Sequence, residues 1–356
     1  MRWDHLYLAA LGTYLPSQRE SAASAVADGL FDAQEYERYE CRGVTVAGAD
    51  EPPPDMAVWA ARRALSQSDH GDADFALLLH ASMYHQGRDL WTPAHYVQRG
   101  TIGGPALAVD VYQGANGSLA ALELAASHLM AREGGPPAAL ITCADSFPLP
   151  GFDRWRSDSD CVFGDGAVAA VLSRDHGPLR LLATASVSDP ELEPVFRGNG
   201  GWTTAPHLDC RPIDLRGRKQ EWMREQADVP AVYGRVAANA RAAVDQALQD
   251  AGVALGDIEL LVHANIARPL AEAQFHHALG IPAQRTTYEW GRDIGHVGGA
   301  DQLLGLDHLM ESGRLAAGQR VLLVGAGMGF TWTAAVLEMS GPAAPQARRR
   351  RGWFRR

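Results

Sequence analysis

Apolar residues in the first half of the chain gather in short unbroken runs, with polar stretches between them. Phe75-Ala76-Leu77-Leu78-Leu79-His80 is one such run and Ala106–Val111 is another. Runs of this length without alternation predict strands buried on both faces. Ala138–Cys143 and Ala167–Leu172 predict two more. Met56–Ser66 has helical spacing and follows the breaker Pro52-Pro53-Pro54, and Ser118–Met130 reads as an Ala/Leu-rich helix. The second half repeats the order. A long helix over Val232–Ala251 closes at Gly252, a strand covers Ile258–His263, and a helix over Asp301–Ser312 closes at Gly313. Strands at Arg320–Val324 and Thr333–Glu338 flank Gly325-Ala326-Gly327-Met328-Gly329.

Strands alternating with helices imply βαβ units and an α/β fold with a parallel or mixed sheet. The repetition divides the 356 residues into halves at 1–175 and 176–340, followed by a basic tail at 341–356 that reads as a flexible end. Between the halves, Glu191–Gln226 shows no clear periodicity and is rich in Gly, Pro, Trp and Arg. So long an irregular stretch is usually functional, and shaping an acceptor site is one role for it.

Charge and cysteine usage narrow the function classes. The net charge is −10, and the tail beginning at Arg348 holds six arginines, so the body alone is near −16. An acidic body is a poor nucleic-acid binder. No apolar run approaches the length of a membrane span, and the start has no basic stretch leading into an apolar one, so neither a span nor a secretory leader is expected. Cys41, Cys143, Cys161 and Cys210 lie far apart with no CxxC pair. That argues against a structural metal site or a disulfide framework and suits a reducing cytoplasm. Lys219 is the only lysine.

Candidate chemistry begins at Asp110-Val111-Tyr112-Gln113-Gly114-Ala115-Asn116-Gly117-Ser118. A strand, a turn of small residues and a helix follow one another here. Such a turn presents one side chain at a helix N-terminus, where the dipole favours negative charge and so activates a thiolate nucleophile. Most junctions of this kind are only tight packing. Two further motifs make it specific: Phe163-Gly164-Asp165-Gly166-Ala167, and Gly327-Met328-Gly329-Phe330 near the end of the second half.

In this order and spacing the three motifs resemble the thiolase-fold condensing enzymes, above all ketosynthase III and the ketosynthase III-like acyltransferases of natural-product pathways. The resemblance runs from about residue 5 to 338. It also accounts for Cys41-Arg42-Gly43-Val44 and for Val97-Gln98. It implies a five-layered α-β-α-β-α fold with pseudo-twofold halves, and a homodimer formed through the N-terminal half. Coenzyme A or an acyl carrier protein would be the acyl donor and a small molecule the acceptor, with no resident cofactor and no metal.

Carried over residue by residue, the resemblance places the acyl-accepting cysteine of the family at Ala115, which cannot accept an acyl group. Either an engineered substitution or a natural loss would explain the alanine. Ser118, three residues on, is a poor substitute. In Val262-His263-Ala264-Asn265 the ketosynthase histidine falls on Val262, and His263 takes the position beside it. The later ketosynthase asparagine falls on His296, five residues before Asp301. This resembles the acyltransferase branch, where a Cys-His-Asp set moves an acyl group without forming a carbon–carbon bond. His296 is then the base and Asp301 its orienting carboxylate. The backbone amides of Ala115 and Met328 are the candidate oxyanion donors. Asn265 falls where the family bonds the pantetheine arm, and Arg154, Trp155 and Arg156 where it contacts the nucleotide end. His263 is open between a site role and a core histidine. Two alternatives stand beside the acyltransferase: a starter-unit ketosynthase, and a non-catalytic acyl-binding partner subunit.

Overall fold

The computed structural model describes residues 1–132, 134–204 and 212–341. Cys210 and the arginine-rich tail lie outside the described residues. Nine strands form the main sheet: β1 (Tyr7–Tyr14), β2 (Phe75–Ala81), β3 (Leu107–Val111), β4 (Ala138–Asp145), β5 (Gly166–Ser173), β6 (Leu179–Ser188), β7 (Leu260–Val262), β8 (Arg320–Gly327) and β9 (Thr331–Met339). Their order is β3-β2-β4-β5-β1-β6-β9-β8-β7. The second part, β6-β9-β8-β7, mirrors β1-β5-β4-β2 outward from the centre. A parallel bridge between Leu261 and Thr286 marks the place that corresponds to β3. In both halves the two outer strands pair in parallel and the inner ones antiparallel. The halves meet where β1 and β6 pair over only Tyr7–Arg180 and Leu8–Leu179.

Alternation along buried strands builds the layers. Leu77, Leu79 and Ile141 face inward with Val321 and Leu323 of the other half, and between them lie α3 (Gly117–Met130) and α6 (Asp301–Glu311). Leu78, Leu140 and Val171 point the opposite way, onto α1 (Pro53–Ser66) and α2 (Pro93–Gly100). Leu322, Val324 and Val336 point onto α5 (Val229–Ala251). The stacking is helix, sheet, two central helices, sheet, helix, which is the thiolase fold. Both sheet halves are covered on both faces, so their strands read as unbroken apolar runs.

Two expectations about elements change. The run at Ala106–Val111 is a strand, but β3 is the edge of the sheet, and Leu107 and Val109 are exposed. The Glu191–Gln226 segment is not irregular throughout. It holds α4 (Leu215–Arg224), whose N-cap Asp214 accepts from Gly217 N at 2.7 Å. Its buried stripe is Leu215, Lys219 and Trp222, at helical spacing. With a lysine in the middle of that stripe, the apolar periodicity is hidden in the sequence. Residues 205–211 of the segment lie outside the described residues.

Candidate active site

The turn after β3 and the turn after β8 pack against each other. Gly114 has φ +54°, a left-handed conformation that suits glycine, and a Cβ there would come 3.0 Å from Met328 N. A Cβ on Gly327 would overlap the Gln113 carbonyl oxygen. These glycines let two backbones approach and bring Ala115 and Met328 into the lining of one cavity. Asn116, fully buried at the start of α3, ties this turn to β9 by donating from Nδ2 to Thr333 Oγ1 at 2.8 Å.

His296 reaches the same cavity from the loop before α6. That loop is laced to the strand entering β5: His296 N donates to Val162 O at 2.8 Å and Gly164 N to His296 O at 3.1 Å. A Cβ on Gly164 would overlap the Ile294 carbonyl, so the Gly-Asp-Gly motif is what allows this close pairing. Asp165 fixes the motif by accepting from Ala47 N, Phe147 N and the Arg154 guanidinium. His296 Nδ1 lies 2.6 Å from Asp301 Oδ2, and both residues are buried. Asp301 also accepts from Asn265 N at 2.7 Å and Val297 N at 2.8 Å. A carboxylate held this firmly places the imidazole proton on Nδ1 and leaves Nε2 as the basic nitrogen.

The cavity has a volume of about 330 Å³. Met83, Phe163, Phe196, Phe330 and one face of α5 give it an apolar wall, while Asp158, Asp160 and Lys219 give it a charged one. Lys219 Nζ is 2.6 Å from both Asp158 Oδ1 and Asp160 Oδ2. Burial opposes the charge on Lys219, but the two carboxylates outweigh it and hold the ammonium above its ordinary pKa.

The expected site residues divide into three groups. Ala115, His296 and Met328 meet at the cavity, and Asp301 stands directly behind His296. Asn265 is next to them, but its side-chain amide donates to Gly295 O at 2.9 Å and to Asp301, which makes it a positioning group. The others are placed elsewhere. Arg154 is bidentate on buried Asp165. Trp155 is 3% exposed, packs on Phe31 and donates from Nε1 to Glu20, so its ring face is not offered to an adenine. Arg156 alone of the three is exposed, and it donates to the Gly29 carbonyl. His263 is a core histidine. It stacks on Phe275, its Nε2 is 3.0 Å from His276 Nε2, and burial pushes its pKa down to about 4.

Sequence reasoning missed the charged wall, since Asp158 and Asp160 lie far along the chain from Lys219. It also missed Asp145, at the end of β4. Burial pushes this carboxyl up to about 7, against the opposing N–H groups of Met83 and Tyr84 and the nearby His296. The thiols of Cys143 and Cys161 are pushed well above their ordinary pKa by burial. Among the described residues no group of three or more His, Cys, Asp or Glu side chains is placed to hold a metal ion.

Fold and site together define a thiolase-fold enzyme class. Residues 109–190 match the family model for 3-oxoacyl-[acyl-carrier-protein] synthase III, and residues 248–339 match the model for its C-terminal part. The β-ketoacyl-[acyl-carrier-protein] synthase III of Synechococcus sp. strain WH7803 is 30% identical over 308 residues, covering 83% of this chain and 85% of that protein. The synthase III of Rhizorhabdus wittichii is 29% identical over 330 residues, 92% of this chain and 97% of that one. Among solved structures, the acyltransferase ChlB3 superposes with a TM-score of 0.87 at 38% identity, covering 95% of this chain and 98% of that one. The chain belongs to the ketosynthase III family.

Proposed function

We propose that this chain is an acyltransferase of the ketosynthase III family. It takes an acyl group from coenzyme A or an acyl carrier protein and delivers it to a small-molecule acceptor in polyketide-type natural-product assembly. The observation that carries this reading is the His296–Asp301 pair beside the Ala115 turn. Decarboxylative condensation in the family needs a histidine and an asparagine around the enolate, and this chain has Val262 and His296 there. A base held by a carboxylate next to two oxyanion amides suits acyl transfer instead. The likeness to ChlB3, itself an acyltransferase, points the same way.

Placement supports the remaining parts of the reading. Arg156 is the remaining candidate for the nucleotide end of a donor. The exposed apolar side chains of β3 suit a homodimer through the N-terminal half. Free buried thiols at Cys41, Cys143 and Cys161 suit a reducing compartment such as the cytoplasm.

The test is Ala115→Cys. A thiol at a helix N-terminus and beside His296 has a lowered pKa. Incubation with acetyl-, malonyl-, propionyl- and longer acyl-coenzyme A should add one acyl group to the peptide containing residue 115. The unaltered chain should bind the same donors by calorimetry and gain no mass. A variant that folds and binds donors but is never acylated would favour the non-catalytic partner subunit.

A further inference from the structure

Among the described residues the cavity brings a base and two candidate oxyanion amides together with no thiol or hydroxyl at position 115 for them to serve. Ala115 offers a methyl group. Ser118 is fully buried inside α3, and its hydroxyl has no hydrogen-bond partner. Cys161 touches the cavity, but burial and the neighbouring Asp158 keep its thiol protonated. His296 nevertheless keeps Nδ1 on Asp301 and lines the cavity beside Ala115 and Met328. The cavity, at about 330 Å³, lies at the lower end of the ~300–1,000 Å³ typical of a small-ligand pocket and opens to solvent. One wall is apolar and suits an acyl chain. The other carries Asp158, Asp160 and Lys219 and suits hydroxyl groups.

Resting on the acyltransferase reading, we infer that transfer occurs in one step, directly from the bound thioester to a bound hydroxyl acceptor, with no acyl-enzyme. His296 Nε2 takes the proton of the acceptor hydroxyl as its oxygen bonds to the thioester carbonyl carbon. The resulting oxyanion is held by the amides of Ala115 and Met328. When the tetrahedral intermediate collapses, the carbon–sulfur bond breaks and the leaving thiolate takes the proton from His296. An ester and a free thiol leave, and His296 is restored. The alanine is then part of a different mechanism and not a defect in the usual one.

Water and methanol are the probe acceptors, and the donors are the same acyl-coenzyme A panel. Free thiol released by the full-length chain is followed while intact mass is recorded in the same reaction. Direct transfer gives three results: thiol release above the uncatalysed rate, no mass gain on the chain, and a total release rate that rises with methanol as methyl ester forms. His296→Ala and the bulkier His296→Gln should each lower release by about 10²-fold or more while leaving donor binding in place. Asp301→Asn, which acts through His296, should lower kcat with KM little changed and alter the pH profile of release. An acyl adduct that forms and decays at the turnover rate would overturn the inference, as would full release by both His296 variants. If no donor that binds releases thiol, the inference also fails. Should Ala115→Cys still be acylated in that case, the acyltransferase reading survives without direct transfer. If Ala115→Cys is not acylated either, both fall.

Discussion

His263 and His276 share one buried contact, and their burial makes the fold sensitive to acid. Burial holds both imidazoles neutral, His263 down to a pKa of about 4. The unfolded chain takes up a proton on His263 near its ordinary 6.5, whereas the folded chain resists it until about 4. The stabilisation is therefore complete above 6.5 and is lost as pH falls toward 4. The shift corresponds to about 3 kcal/mol for His263. His263→Gln keeps a polar side chain in the same space and does not titrate. Urea unfolding at pH 7 and pH 4.5 should show a smaller acid loss for this variant than for the unaltered chain. An equal loss in both would place the acid sensitivity elsewhere, for instance at the buried His70, whose pKa burial also lowers. Position 115 shows the limit of the residue scale. Under the proposed function its methyl cannot carry an acyl group, whereas its backbone N–H stays available as a donor, because an N–H does not depend on which side chain is attached.

At the scale of elements, α4 docks through a lysine. Leu215 and Trp222 are buried in the ordinary way, and Lys219 between them is buried only because Asp158 and Asp160 meet it. Its ammonium also lies 4.6 Å from the centre of the Phe196 ring. Removing one partner of a buried pair leaves an unpaired charge, which costs about 3–5 kcal/mol. Lys219→Met should destabilise the chain by that order in urea unfolding, although methionine has similar length and is more apolar. The double variant Lys219→Met with Asp158→Asn should recover part of the loss, since it removes a charge left without its partner. If Lys219→Met is as stable as the parent, the ion array is not what holds α4 against the cavity. The glycines at the two active-site turns work at this scale as well. Each permits contact between elements more than a hundred residues apart, and no local pattern announces such a contact.

At the scale of the molecule, the β3 edge leaves Leu107, Val109 and Tyr112 exposed at 54%, 39% and 72%. An open strand edge with apolar side chains invites pairing with another strand. Val109→Asp should convert a dimer to a monomer in sedimentation velocity, and it should do little to the core because Val109 is not buried there. Unchanged sedimentation would move the interface elsewhere. The sequence by itself determined the alternation of strands and helices, the repeat of the halves, and the turns around positions 115, 164 and 328. Those features depend on local spacing, on glycine's freedom at a turn, and on burial of strands on both faces, all of which leave a pattern in the chain. The pairing of His296 with Asp301 was legible through the family resemblance, and the structure sets the two side chains 2.6 Å apart. The tertiary structure alone decided which charges face inward. Arg154 turned to Asp165 and Trp155 to Phe31 because burying them there satisfied a carboxylate and completed an aromatic cluster. Lys219 met Asp158 and Asp160 across some sixty residues. Partners this distant are chosen by the packing of whole elements, and nothing in the spacing of the chain encodes them.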